Sequence, residues 1–320
     1  MVVVGRVGVD FTPASPRTSL EAASTFVRAI GGYAGNVGTG LARLGVATAV
    51  VSCVGADGHG DHVRTFLAGE GVDVAGLVRR ADSRTQVAFF EAWPPDDFPV
   101  TFYRPAPAPE TRLTAAELPE ALLRQAPLVL VSGAMLAAEP ARGTALGILG
   151  RRRATAGGRP ASWTVLDLDW RPALWADPGE APPLVRQAVT HADVVIGSDE
   201  EFAAAGLDPA DALARGRRLL VVKHGAAGAS VVTASGRRTV AGLAVEVVCA
   251  LGAGDALAAA FTAGLVRGLD PFVALERGNA AGAIVASRLM CSTAMPTPAE
   301  IDALLARSAG RPLEPVEGRR

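Results

Sequence analysis

The segment Leu251-Gly252-Ala253-Gly254-Asp255 places small residues directly before a carboxylate and an apolar, helix-like run, Ala256–Val266. Gly252, Ala253 and Gly254 carry little or nothing that would shield their amides, so successive N–H groups can face one concavity. A helix starting there adds its positive end. Such a nest suits an anion, for example a phosphoryl group in transfer, and Asp255 beside it could accept the proton of an attacking hydroxyl. The helix end and any bound cation are expected to lower the Asp255 pKa, leaving a weak base that takes its proton late. A helix capped by an acidic residue after a glycine turn has the same local pattern, so the segment alone leaves both readings open.

A second glycine-rich element, Gly31-Gly32-Tyr33-Ala34-Gly35-Asn36, leads into a run in which Val37, Leu41 and Leu44 share one helical face. Adjacent glycines let a ligand approach the main chain, and Asn36 offers both a donor and an acceptor to sugar hydroxyls. A plain turn with an Asn cap fits equally. Of the 31 basic residues, Lys223 is the only lysine. It lies in VVKHGAAG, at a strand end before a glycine turn, where a compact ammonium could serve a nucleotide; chance survival explains it as well. No GxxxxGK[ST], HExxH or GxSxG occurs, and no GxGxxG follows the first strand. P-loop kinase, zinc peptidase, α/β-hydrolase and dinucleotide-binding readings therefore lapse. His59, His62, His191 and His224 are scattered and show no ligand spacing.

The elements that must position these residues follow from composition and periodicity. The 320 residues are 49% hydrophobic and 20% charged, and 31 basic against 32 acidic residues leave a net charge of -1. That is a globular composition with no basic bias toward nucleic acid. Cys53, Cys249 and Cys291 show no CxxC spacing, which excludes a disulfide framework and gives no zinc cluster. The opening MVVVGRVGVDF lacks the pattern of a secretion signal. Val247–Val266 is apolar but Ala- and Gly-rich and contains Asp255, so it reads as a strand end, a turn and a buried helix rather than a membrane span. A soluble, cytoplasmic protein is expected, with no membrane partner.

Strand-like runs are expected at Val2–Asp10, Ala47–Val54, Leu128–Ser132, Thr164–Asp167, Val194–Ile196, Leu219–Val222 and Ala229–Val232. Helices are expected at Asn36–Leu44, Asp61–Glu70, Ala115–Gln125, Pro183–His191 and Glu200–Ala205. The alternation predicts a doubly wound α/β domain with a mainly parallel sheet and helices on both faces. Gln86–Ala92 and Pro99–Arg104, around a Pro/Asp turn, break the rhythm as an antiparallel hairpin, and Phe11–Arg28 also fits no βαβ unit. Residues 11–28 and 86–104 are read together as a small β lid inserted in one domain; a surface hairpin and a long loop are the alternative. Residues 308–320 read as a frayed tail.

The order Asp10, Gly31-Gly32 to Asn36, hairpin, Lys223 to Gly228 and Gly252 to Asp255 spans nearly the whole chain and resembles the ribokinase-like (PfkB) carbohydrate kinases. GGYAGNVGTGLARLG and CALGAGDALAAAFTAGL match both signatures of that family. The resemblance implies a ribokinase-like fold and MgATP-dependent transfer to a sugar hydroxyl under a β lid. Asp255 would match the general base, and Gly252, Ala253 and Gly254 the anion hole. Asp10, Gly31, Gly32 and Asn36 would hold the sugar, and Lys223, Gly225, Gly228 and Asn279 the nucleotide. The family's NxxE motif is read at Gly197-Ser198-Asp199-Glu200, leaving Glu200 to hold Mg²⁺ through waters. Cys249 stands where many members carry an Asp that helps bind potassium, which counts against monovalent-cation activation. A homodimer through the exposed lid face is a further implication.

A narrower resemblance, to the 5-dehydro-2-deoxygluconokinase branch, rests on Glu91–Arg104, Leu166–Trp175 and Cys291–Pro298. It implies phosphorylation of the 6-hydroxyl of a sugar acid in myo-inositol breakdown. Arg104 and Arg171 become candidates to hold the carboxylate through charge-assisted hydrogen bonds. A 2-dehydro-3-deoxygluconate kinase, a fructokinase and a catalytically silent sugar-binding protein are the competing expectations.

Overall fold

The computed structural model describes residues 1–156, 162–209, 213 and 219–309. Its strands, numbered along the chain, are β1 (Val2–Val4), β2 (Gly8–Pro13), β3 (Phe26–Gly31), β4 (Ala49–Gly55), β5 (Leu77–Arg80), β6 (Val87–Phe90), β7 (Val100–Tyr103), β8 (Leu128–Ser132), β9 (Trp163–Asp167), β10 (Val194–Ser198), β11 (Leu219–Lys223), β12 (Gly228–Thr233) and β13 (Gly236–Ala241). The helices that matter for the site are α1 (Tyr33–Arg43), α2 (Gly58–Gly69), α3 (Glu120–Gln125), α4 (Ala141–Ala156), α5 (Ala181–Val189), α6 (Asp199–Ala204), α7 (Ala253–Val266), α8 (Pro271–Ala286) and α9 (Pro298–Ala309).

The main sheet has nine strands in the order β13-β12-β11-β10-β9-β8-β1-β4-β5. Strands β11 through β5 run parallel, and β12 and β13 close one edge antiparallel. Successive side chains enter two separate cores. Val2 and Val4 face one with Val129, Val131 and Leu166, while Val3 faces the other with Leu128, Leu130 and Val165. Burial on both faces is why these strands are nearly unbroken Val, Ile and Leu, and each fully buried side chain contributes roughly 1.5–3 kcal/mol.

A second sheet of four strands, β3-β2-β6-β7, stands against the carboxyl end of the first. The expected hairpin is present, β6 and β7 pairing antiparallel with Val87 opposite Tyr103. The expected single strand Val2–Asp10 is instead two: after Val4 the chain leaves the main sheet, and Gly8–Pro13 joins the second one. The helix expected over Ala115–Gln125 is broken at Pro119, which lacks an N–H; a single turn, Ala115–Glu117, precedes the short α3.

Helices α4, α8 and α9 and strands β3, β5 and β13 were not foreseen by pattern. Helix α8 carries no amphipathic stripe because it packs directly on α7. Ala274 approaches Gly264, and the Leu257 carbonyl approaches Gly278, so closely that a methyl at either glycine would collide. This close pairing explains the Ala- and Gly-rich run that resembled a membrane segment. Among the described residues, no helix is long and apolar enough to cross a membrane. Of the tail expected at 308–320, residues 310–320 lie outside the described residues.

Candidate active site

Parallel strands end at one edge of the main sheet, and the second sheet faces that edge. Such an edge is where open α/β sheets bind ligands. A cavity of about 280 Å³ lies there, at the small end of ligand sites. Arg6, Asp10, Gly32, Asn36, Asp169, Arg171, Gly252 and Asp255 line it, with Gln86, Val87 and Phe102 contributed from the second sheet and its approach.

Gly252 caps α7 in the left-handed region (φ 81°), and a Cβ there would stand 2.8 Å from Cys291 Cβ. Both facts require glycine. Ala253 donates its N–H to the Ala250 carbonyl at 3.2 Å, so this amide is partly engaged. The N–H groups of Gly252, Gly254 and Asp255 have no partner among the described residues. The free set therefore keeps Gly252 and Gly254 of the expected Gly252-Ala253-Gly254 and exchanges Ala253 for Asp255.

Asp255 accepts a hydrogen bond from Asn36 Nδ2 at 2.7 Å, which joins the two glycine-rich elements directly. Its pKa is pushed up to about 6, by burial first and then by neighbouring Asp169, against the opposing pull of the Asn36 bond, Arg171 and Lys223. This reverses the expected lowering: desolvation of a carboxylate outweighs the helix end and nearby cations. Asp10 is pushed up to about 7, again chiefly by burial and against the pull of Arg6. Gly31 packs on its carboxylate, leaving no room there for a side chain.

Behind the nest, Lys223 pairs with Glu201 at 3.2 Å and Asp167 at 3.5 Å. Its Nζ comes within 3.5 Å of where a Cβ on Gly254 would be, so the lone lysine lies beneath the helix tip. Burial alone would favour loss of its charge, but Asp167, Glu201 and Asp255 hold its pKa above the ordinary lysine range. Tyr33 donates to Asp167 Oδ2 at 3.1 Å and closes the cluster on the α1 side.

Other expected residues fall elsewhere. Arg104 does not line the cavity; it is ion-paired to buried Glu110 and donates to Gln86 Oε1 at 3.0 Å. Glu200 is exposed on the first turn of α6, and the next residue, Glu201, faces inward. A one-residue step on a helix rotates the side chain by about 100°, enough to exchange the two carboxylates. Glu201 already receives the Ser198 N–H at 2.7 Å and the Trp170 N–H at 3.0 Å. No group of three or more His, Cys, Asp or Glu that could cage a metal exists among the described residues. Gly225 and Gly228 form the turn between β11 and β12, and Asn279 on α8 donates to the Ala241 carbonyl at 2.8 Å. None of these three lines the cavity. Cys249 is buried among Ala29, Phe90, Ala92 and Met290, a surrounding unlike an oxygen-lined cation site.

Sequence reasoning missed Arg6, Asp167, Asp169 and Glu201. Asp169 accepts from Ser132 Oγ at 2.6 Å, faces Arg171 at 3.4 Å and has a left-handed backbone (φ 37°), a conformation that a site residue can hold under surrounding constraint. The signal was available in Leu166-Asp167-Leu168-Asp169-Trp170-Arg171, a charged run directly after a buried strand.

The profile of the pfkB family carbohydrate kinases matches residues 1–298. The chain is 32% identical over 315 residues to the 5-dehydro-2-deoxygluconokinase of Shouchella clausii, covering 95% of each sequence. It is 31% identical to the enzyme of that name from Geobacillus kaustophilus, covering 94% of this chain and 92% of that one. Among solved structures, a PfkB protein from Polaromonas sp. JS666 superposes with a TM-score of 0.81 at 29% identity, over 94% of this chain and 98% of that one. The fructokinase of Vibrio cholerae O395, in its fructose, ADP and calcium ion bound form, superposes at 0.82 with 25% identity, over 95% and 98%.

Proposed function

From the premise that this chain belongs to the PfkB family of carbohydrate kinases, we propose that it transfers the γ-phosphoryl group of ATP to the 6-hydroxyl of 5-dehydro-2-deoxy-D-gluconate. The observation carrying this reading is Asp255, tied to Asn36 and standing at a cavity wall beside unpartnered amides of the α7 tip. The sugar acid enters between the two sheets, with Asp10, Gly32 and Asn36 on its hydroxyls. The second sheet acts as a lid that excludes water able to hydrolyse ATP. The nucleotide lies along the Lys223–Gly228 turn toward Asn279.

In the transfer, the substrate oxygen forms a bond to Pγ as the bond from Pγ to the bridging oxygen breaks, releasing ADP. The hydroxyl proton passes to Asp255, and the unpartnered amides of Gly252, Gly254 and Asp255 receive the charge on the equatorial oxygens. Lys223, held charged by its carboxylates, sustains positive potential beneath that point. When bound, magnesium would screen the phosphate charge, and phosphate oxygens and water would carry it, since Asp167 and Glu201 are already paired with Lys223. The buried Cys249 favours a rate independent of potassium.

The exposed apolar side chains of the second sheet, Phe26, Val27, Val100 and Tyr103, support a homodimer formed through that face. A cytoplasmic location is part of the same reading. Purified protein with MgATP is to be assayed against 5-dehydro-2-deoxy-D-gluconate, 2-dehydro-3-deoxy-D-gluconate and fructose, with the product phosphate located by NMR. Highest kcat/KM for the first, with phosphate on C6, is the expected result. Fructose as the best substrate would overturn the assignment of substrate.

A further inference from the structure

Arg6 follows β1 at the carboxyl edge of the main sheet, and its main chain is anchored. Its carbonyl accepts the Ala34 N–H at 2.9 Å and stands 2.7 Å from where a Cβ on Gly32 would be. The side chain therefore starts from a fixed point against the mouth of α1. It lines the cavity and is only 6% exposed.

The guanidinium makes no hydrogen bond or ion pair among the described residues, and Nε is buried without a partner. Near it lie the Phe102 ring, 5.8 Å from Cζ to the centroid, and the charge of Asp10. Arg171, the other arginine of the cavity, is by contrast half-exposed and faces Asp169. A guanidinium whose Nε is buried and that makes no hydrogen bond or close ion pair is costly, because its lost hydration is not replaced.

The surrounding groups do not supply the missing partner. Gln86 donates its amide to the Val7 carbonyl at 2.9 Å and receives Arg104 on its oxygen. Val9, Val87 and Phe102 are apolar. Asp10 attracts Arg6 through space but forms no ion pair or hydrogen bond with it among the described residues, and burial pushes its carboxyl up. A ligand carboxylate matches the planar fork of donors, whereas a neutral sugar would leave the charge uncompensated.

We propose that Arg6 selects a sugar acid over a neutral sugar by binding the substrate carboxylate in this cavity. The inference rests on the sugar-acid reading and assigns to Arg6 the task that the resemblance gave to Arg104 and Arg171. The selectivity has an attractive part, the ion pair with the acid, and a repulsive one, the uncompensated guanidinium left by a neutral sugar.

The test compares 5-dehydro-2-deoxy-D-gluconate with its primary amide, which keeps the shape and removes the charge, in the wild type and in Arg6→Gln. The wild type is expected to prefer the acid by roughly 100-fold in kcat/KM, the scale of a charge-assisted pair lost from a buried site. Arg6→Gln should remove about 100-fold from the acid, mostly through KM, and should not lower kcat/KM for the amide, because the uncompensated charge is gone. ATP affinity and thermal unfolding of the variant show whether it is folded. If Arg6→Gln does not fold, Arg6→Lys carries the test, and a preference reduced about 10-fold supports the assignment because the charge stays and the fork goes. Equal losses on acid and amide, or an unchanged preference, overturn the role of Arg6 while the sugar-acid reading stands. A wild type that uses the amide or a neutral sugar better than the acid overturns both.

Discussion

The tip of α7 and the outer face of the second sheet are built on opposite terms. At the tip, Gly252 packs on Cys291, Asp255 is tied to Asn36, and Lys223 is fixed by Glu201 and Asp167. On the outer sheet face, Phe26, Val27 and Val100 are partly exposed and Tyr103 is 62% exposed. The aromatic rings there meet chiefly one another, Phe89 lying edge-on to both Phe26 and Tyr103. One region has little room to rearrange, and the other offers apolar surface without a partner among the described residues. The proposed chemistry belongs where geometry is over-determined, and the proposed closing and pairing where it is not.

The largest contrast is expected from Asp255→Asn. It should lower kcat by about 100-fold or more while leaving sugar and nucleotide affinities nearly unchanged, as removal of a general base does. Steady-state rates and calorimetric binding read the two effects separately, and retained turnover would remove the proposed role of the α7 tip. In the wild type, deprotonated Asp255 is the active form, so kcat/KM should rise with pH through about 6, the value to which burial pushes this carboxyl. A limb near pH 4 would show that burial does not govern Asp255.

Arg104→Ala strands buried Glu110, and should cost about 3 kcal/mol in a denaturant melt, a typical loss for a broken buried pair. Its KM for the sugar acid should change far less than that of Arg6→Gln. Gly252→Ala forces a side chain toward Cys291 at a left-handed position and should cost about 1–2 kcal/mol, with kcat falling as the amides shift. At the other region, Tyr103→Glu should change stability by less than about 0.5 kcal/mol, as for an exposed site. If the outer face pairs two copies, sedimentation of that variant will show a monomer; an unchanged oligomer would place the interface elsewhere.

The local chemistry of the tip was readable because glycines and an acid next to an apolar run allow few conformations. The alternation of aliphatic runs also exposed the parallel sheet. Helix α8 was not readable, since burial on α7 erases the polar stripe that periodicity depends on. Strand β13 was missed for the converse reason: Gly236–Ala241 is an exposed edge with little apolar character. Pro119, which has no N–H to give, splits the helix expected over Ala115–Gln125.

Residue order alone carried the class of fold, the carboxylate and amides of Leu251–Asp255, and the match to the family signatures. Tertiary structure decided which charges face the cavity. Arg104 was drawn away by Glu110, Arg6 was brought in by the anchoring of its carbonyl, and beneath the α7 tip a single helical step put Glu201 rather than Glu200 on Lys223. It also raised the pKa of Asp255, because desolvation depends on what surrounds a group in space. Short-range backbone preference is written in neighbouring residues, whereas the direction of a long side chain and the loss of its water are set by elements far away in the chain.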